Sequence, residues 1–209
     1  MANSYQKTVL DNGIRIITEK IPSRTVSAGI WVDVGARDEQ PHNNGSAHFV
    51  EHMLFKGTTS RTAQEIAQEF DTLGGMSNAF TSGETTSYYA TVLDDQVEHL
   101  IGLMGDIFRN SLFAEEEVVR EREVILQEIS MVEDTPDDRI HELFTGNLWG
   151  NTPWAIRFLD SGRLWQPWIP PVCGNICAAS TRRTGSSSPP PAMWRTIGSV
   201  TSGRSSLAP

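Results

Sequence analysis

The sequence predicts an α+β fold: a mainly antiparallel sheet with helices packed on one face. Three observations carry that prediction. An Asn12-Gly13 pair sits between two β-rich runs, the strongest short-range signal for a hairpin. Residues 26–35 alternate apolar and polar positions, as a half-buried strand does. Amphipathic helical patterns then follow one another in the second half of the ordered-looking sequence.

Taken in order, Lys7–Lys20 supplies the opening hairpin, and Val26, Ala28, Ile30 and Val32 are the inward positions of a third strand. Polar residues 36–44 form a loop leading into a helix within Gly45–Phe55. Thr62-Ala-Gln-Glu65 is a capping box, opening an amphipathic helix through Ile66, Phe70 and Leu73 that stops at Gly74-Gly75. Ser77–Thr81 and Thr85–Val92 read as two strands joined across Ser82-Gly83-Glu84, and Val97 to Phe108 as another amphipathic helix. A long acidic helix spans Ala114–Glu133 with the stripe Val118, Ile125, Ile129 and Val132; Glu121 and Glu128, one heptad apart, project within about 20° of each other at its edge. Thr135 as N-cap, Pro136 at the first helical position and two acids after it start a last helix through Ile140, Phe144 and Leu148. There is no internal repeat.

Composition sets further bounds. The chain has 209 residues, 38% apolar, enough for one sizeable core. Its net charge of −9 argues against a nucleic-acid partner, because phosphate binding needs a basic face. No apolar run approaches the ~20 residues of a membrane span, and Met1–Lys7 has no apolar signal core, so no membrane association and a cytoplasmic location are expected. The charge is unevenly placed: −14 over residues 1–150, but +5 over 151–209, where Arg is the sole basic type and Asp160 the sole acid. That second part also holds four of the six tryptophans and a Ser186–Pro191 run without periodicity. The expected division is a metal-binding domain over 1–150 and an irregular or disordered tail over 151–209. Cys173 and Cys177 are too few for a disulfide framework, and with no later Cys or His they are not expected to form a second zinc site.

The chemistry concentrates in Gly45–Phe55. His48 and His52 lie one above the other on a helix, at about 100° per residue, with Glu51 between them. Two imidazoles so placed can share a zinc ion, and an adjacent carboxylate can act as general base for a water molecule. Spacing alone fits a solvated helix face equally well. The apolar neighbours Phe49, Val50, Met53, Leu54 and Phe55 favour the metal, since they bury the helix and buried ionisable groups need partners.

The pattern His48-x-x-Glu51-His52 is the inverzincin motif. The run Gly45–Gly57 that contains it resembles the active-site segment of the pitrilysin/insulinase family of zinc peptidases, in the branch of mitochondrial processing peptidase β subunits and their bacterial relatives. Leu10–Ile16, Asn78–Ser82 and Tyr88–Ala90 also resemble that family, and the resemblance covers roughly residues 5–150. It implies Glu128 as third zinc ligand, with 75 residues between it and His52, inside a segment Glu121–Ile129 that is also family-like. It further implies Glu51 as general base, Glu121 as the acid that orients a ligand, and Asn78 and Ala79 as binders of the substrate backbone. The implied activity is endopeptidase cleavage of a peptide or unfolded protein docked on an open sheet edge.

Past Leu148–Pro153 the resemblance ends, and a composition like that of an out-of-frame reading points to a frameshift near 153–156. Translating the gene in its other two frames beyond that point tests this expectation; no family-like sequence there would remove it. The family's second domain, including an Arg and Tyr pair that help bind substrate, has no counterpart in this chain, so a homologous subunit or second domain would have to supply it. The leading reading is therefore a truncated zinc metalloendopeptidase. The alternative is a non-catalytic, metal-binding partner or scaffold subunit of a peptidase assembly.

Overall fold

A computed structural model describes residues 5–40, 43–150 and 152, together with the backbone of 196–200. The hairpin forms as its sequence dictates: β1 (Tyr5–Val9) and β2 (Arg15–Glu19) pair antiparallel. Gly13 takes φ +85° in the turn between them, a conformation that suits glycine, and the Asn12 side chain accepts from the Ile14 N–H at 3.1 Å.

β3 (Thr25–Val32) and β5 (Thr86–Leu93) form the centre of the sheet, antiparallel from Thr25 opposite Leu93 to Val32 opposite Thr86. β4 (Met76–Thr81) pairs with the far side of β5 and ends the sheet. A sixth strand, β6 (Thr196–Val200), runs parallel to β2 and antiparallel to β3, giving the order β1-β2-β6-β3-β5-β4. Of the tail expected to be irregular, this short segment and Thr152 are described; the rest, with the 150/151 boundary, the suggested frameshift, Cys173 and Cys177, lies outside the described residues.

Helices cover one face. α1 (Ser46–Met53), α2 (Ala63–Thr72), α3 (Val97–Asn110), α4 (Glu115–Asp134) and α5 (Pro136–Trp149) all begin within two residues of where the sequence pattern starts them. The α2 capping box is complete: Thr62 Oγ1 accepts from the Glu65 N–H, and Glu65 accepts from the Thr62 N–H at 2.7 Å. The core joins the inward residues of β3 and β5 (Ala28, Val32, Tyr88, Ala90, Val92) to Phe49 and Met53 of α1, Leu100, Leu103 and Ile107 of α3, and Val118, Ile125 and Ile129 of α4. The expected inward alternation on β3 holds, Val26, Ala28 and Val32 being buried and Ile30 partly so.

α5 differs from the rest. Its stripe of Ile140, Phe144 and Leu148 is solvent-exposed, and none of its residues is buried. Among the described residues, no helix is long and apolar enough to cross a membrane.

Backbone contacts fix the loop between β3 and α1. Residues Ala36–Asp38 make one 3-10 turn, and the Ala36 and Arg37 N–H groups donate to Ser82 and Gly83 carbonyls in the β4–β5 turn. Gly35 lies so close to that turn that a Cβ there would stand 2.6 Å from the Glu84 nitrogen, and closer still to the Ser82 carbonyl. Glycine is required here by proximity.

Candidate metal centre

His48 lies in the first turn of α1 and His52 in the last, so their rings meet on the face turned toward α4. Their Nε2 atoms are 3.2 Å apart and the rings are T-shaped. The packing of Val118, Ile125 and Ile129 into the core fixes the rotation of α4, and that rotation brings Glu128 to its edge. Glu128 Oε2 stands 3.8 Å from His48 Nε2 and 3.6 Å from His52 Nε2.

These three residues form a cluster able to coordinate a divalent metal. The test is geometric. The nearest point equidistant from three atoms with those separations lies about 2.1 Å from each, so a position slightly out of their plane falls close to the bond lengths zinc takes to imidazole nitrogen and carboxylate oxygen. The donor chemistry agrees, since two imidazoles and one carboxylate leave a fourth position open, as a catalytic rather than a structural zinc site does.

Surrounding groups orient the donors. Glu121 of α4, 5% exposed, places Oε2 3.1 Å from His52 Nδ1 and Oε1 2.7 Å from Lys56 Nζ. A carboxylate accepts, so this contact suits a His52 tautomer that presents Nδ1–H to Glu121 and leaves Nε2 facing the cluster. Burial, reinforced by neighbouring His52, lowers the pKa of His48 to about 4, so its ring is neutral at pH 7.

Glu51 projects from α1 to the edge strand, where its Oε2 accepts from the Thr81 hydroxyl at 2.6 Å. Burial raises its pKa above the ordinary carboxylate range; the Thr81 hydrogen bond and His52 oppose the rise, while Glu128 adds to it. A carboxyl so displaced is closer to the affinity a general base needs near neutral pH.

Asn78 and Ala79 occupy β4, the last strand of the sheet among the described residues. The Ala79 N–H donates to the Asn78 side-chain oxygen at 2.9 Å. Among the other histidines, His99 sits 3.1 Å from Glu69 and His141 is exposed, while His42 lies outside the described residues. Glu84, in the turn between β4 and β5, is ion-paired with Arg37.

Three contributors escaped sequence reasoning. Thr81 was visible only as an inward position on β4, Lys56 only as a cation four residues after His52. Glu39 was absorbed into the polar loop 36–44, yet its side chain is 6% exposed and accepts from Gly45 N–H, Ala47 N–H and the Asn44 amide at 2.5, 2.7 and 3.1 Å. Burial pushes its pKa up to about 7 against the pull of those donors. An acid shortly before a helix whose N-cap is glycine was the available signal.

Comparison with known proteins agrees with the geometry. The protein named uncharacterized zinc protease YmxG, from Bacillus subtilis, is 47% identical over 141 residues, which is 67% of this chain and 34% of that one. A probable mitochondrial-processing peptidase subunit beta from Arabidopsis thaliana is 42% identical over 147 residues, 70% of this chain and 28% of its own. The chain thus spans about a third of the length of these curated relatives. The crystal structure of a protease from Helicobacter pylori shares the fold, with a TM-score of 0.85 and 20% identity over 98% of this chain and 48% of that one. The model of the insulinase family, peptidase family M16, matches residues 15–161, running through both helices that carry the His/His/Glu cluster, and the chain belongs to that family.

Proposed function

We propose that this chain carries the zinc centre of a metalloendopeptidase, with His48, His52 and Glu128 as ligands and Glu51 as general base. The observation that carries the reading is the convergence of the three donors at zinc-like separations, with Glu51 one residue from a ligand on the same helix. When bound, zinc supplies Lewis acidity, which acidifies water and polarises a peptide carbonyl. Glu51 accepts the proton of the attacking water and returns it to the leaving amine, its direction set by Thr81. Glu121 holds the His52 ring in the ligating tautomer. The free edge of β4 suits an extended peptide added as a further strand, with Ala79 N–H passing from Asn78 to a substrate carbonyl.

A second reading, a metal-holding but non-catalytic subunit, is favoured by the word subunit in the name of the Arabidopsis relative. Metal analysis and peptide-cleavage assays on wild type and Glu51→Gln separate the two. The peptidase reading expects about one zinc per chain in both proteins and cleavage only by wild type, alone or with the homologous subunit it requires. Zinc without cleavage under every such condition selects the non-catalytic subunit; no bound zinc removes both.

A further inference from the structure

We infer that Glu39 is a positioning residue of the metal centre, holding the first turn of α1 and with it His48. This rests on the reading of His48 as a ligand. α1 has only eight residues, a length at which an isolated helix is not stable, and His48 lies in its first turn, where a helix frays most readily. The residue at the N-cap position is Gly45, with φ +86° and no side chain with which to cap. The helix therefore cannot satisfy its own leading amides.

Glu39 supplies what is missing from six residues upstream. Its Oε2 takes the N–H of Gly45 and its Oε1 the N–H of Ala47, the residue directly before His48. The Asn44 amide donates to Oε2 as well, tying the approach turn to the same carboxylate. One buried carboxylate thus sets both where α1 begins and how its first turn is directed. Its own loop is anchored to the β4–β5 turn through Ala36 and Arg37, so the position of His48 is referred to the sheet.

The test compares wild type, Glu39→Gln, Glu39→Asp and a control, Ile107→Val, which loosens the core in α3 away from the site. Zinc affinity is measured by chelator competition under conditions where circular dichroism shows each protein fully folded. Amide exchange in α1 is measured on the metal-free proteins. Expected for Glu39→Gln is zinc affinity weaker by about tenfold or more and faster exchange at Gly45 and Ala47, with a smaller loss in Glu39→Asp. The control should keep wild-type affinity, because general loosening does not move His48. Zinc binding by wild type with unchanged affinity in Glu39→Gln overturns this inference alone. Absence of zinc from wild type overturns the metal reading and this inference with it.

Discussion

The Thr81 hydroxyl on β4 donates to Glu51 Oε2 on α1 at 2.6 Å, so the edge strand that would receive a peptide also aims the carboxylate beside the proposed metal ligands. Thr81→Val should lower the peptide-cleavage rate roughly 10–100-fold while zinc content stays at the wild-type value. Glu51→Gln should cost about 10²–10⁴-fold with the metal equally retained. A Thr81→Val protein that cleaves at the wild-type rate would show that Glu51 needs no such guide.

Removing the metal should destabilise the protein. An ion bound only by the folded state at 100 times its dissociation constant contributes about 2.7 kcal/mol, which for a chain of this size is roughly 5–10 °C in Tm. Calorimetry with zinc and after chelation should show that difference in wild type. In Glu128→Ala the two traces should coincide, since one vertex of the donor triangle is gone.

The metal-free protein should carry a pH dependence traceable to His48. Its folded pKa of about 4 lies below the unfolded value near 6.5, so the unfolded chain binds more protons between the two. The contribution is therefore present above pH 6.5 and lost as the pH falls toward 4, at most about 3 kcal/mol. Glu39, raised to about 7, acts oppositely: stability present below its unfolded value near 4.5 is lost as the pH rises through 7. The two slopes offset in wild type. Denaturant titrations of wild type against His48→Gln isolate the first, and a difference between them that does not change from pH 7 to 4 would contradict it.

Gly35→Ala should destabilise the fold by roughly 1–3 kcal/mol, because the new methyl group meets the backbone at Ser82 and Glu84. Gly83→Ala, where nothing lies within 4 Å of the added atom, is the matched control and should be nearly silent. Chemical denaturation of both gives the comparison.

Much of this was legible in the sequence because the determinants are local. Asn12-Gly13 set a hairpin, Thr62 and Glu65 a helix start, and the i, i+4 spacing of His48 and His52 put two rings on one face. Glu128 was reached through family resemblance rather than pattern, since it lies in a run of acids that looks uniformly solvated. Glu39, Thr81 and Lys56 act through contacts that no periodicity encodes: a loop folding back on a helix, a strand against a helix, a turn against α4. The stripe on α5 was also readable as a pattern, but its burial was not, and Ile140, Phe144 and Leu148 face solvent. The strand at Thr196–Val200 had no visible partner in sequence, being placed between β2 and β3 by pairing alone.

The two imidazoles come from neighbouring turns, but Glu128 enters from across a loop of 75 intervening residues that holds α2, β4, β5 and α3. Two corners of the site can thus take shape as soon as one short helix does. The third waits for the sheet to pair and α4 to dock, and must overcome the entropy of closing that loop. An ion gripped by all three is a cross-link between early and late parts of the chain, so full metal affinity is acquired only on completion of folding, and a partly made chain holds no more than a two-nitrogen site.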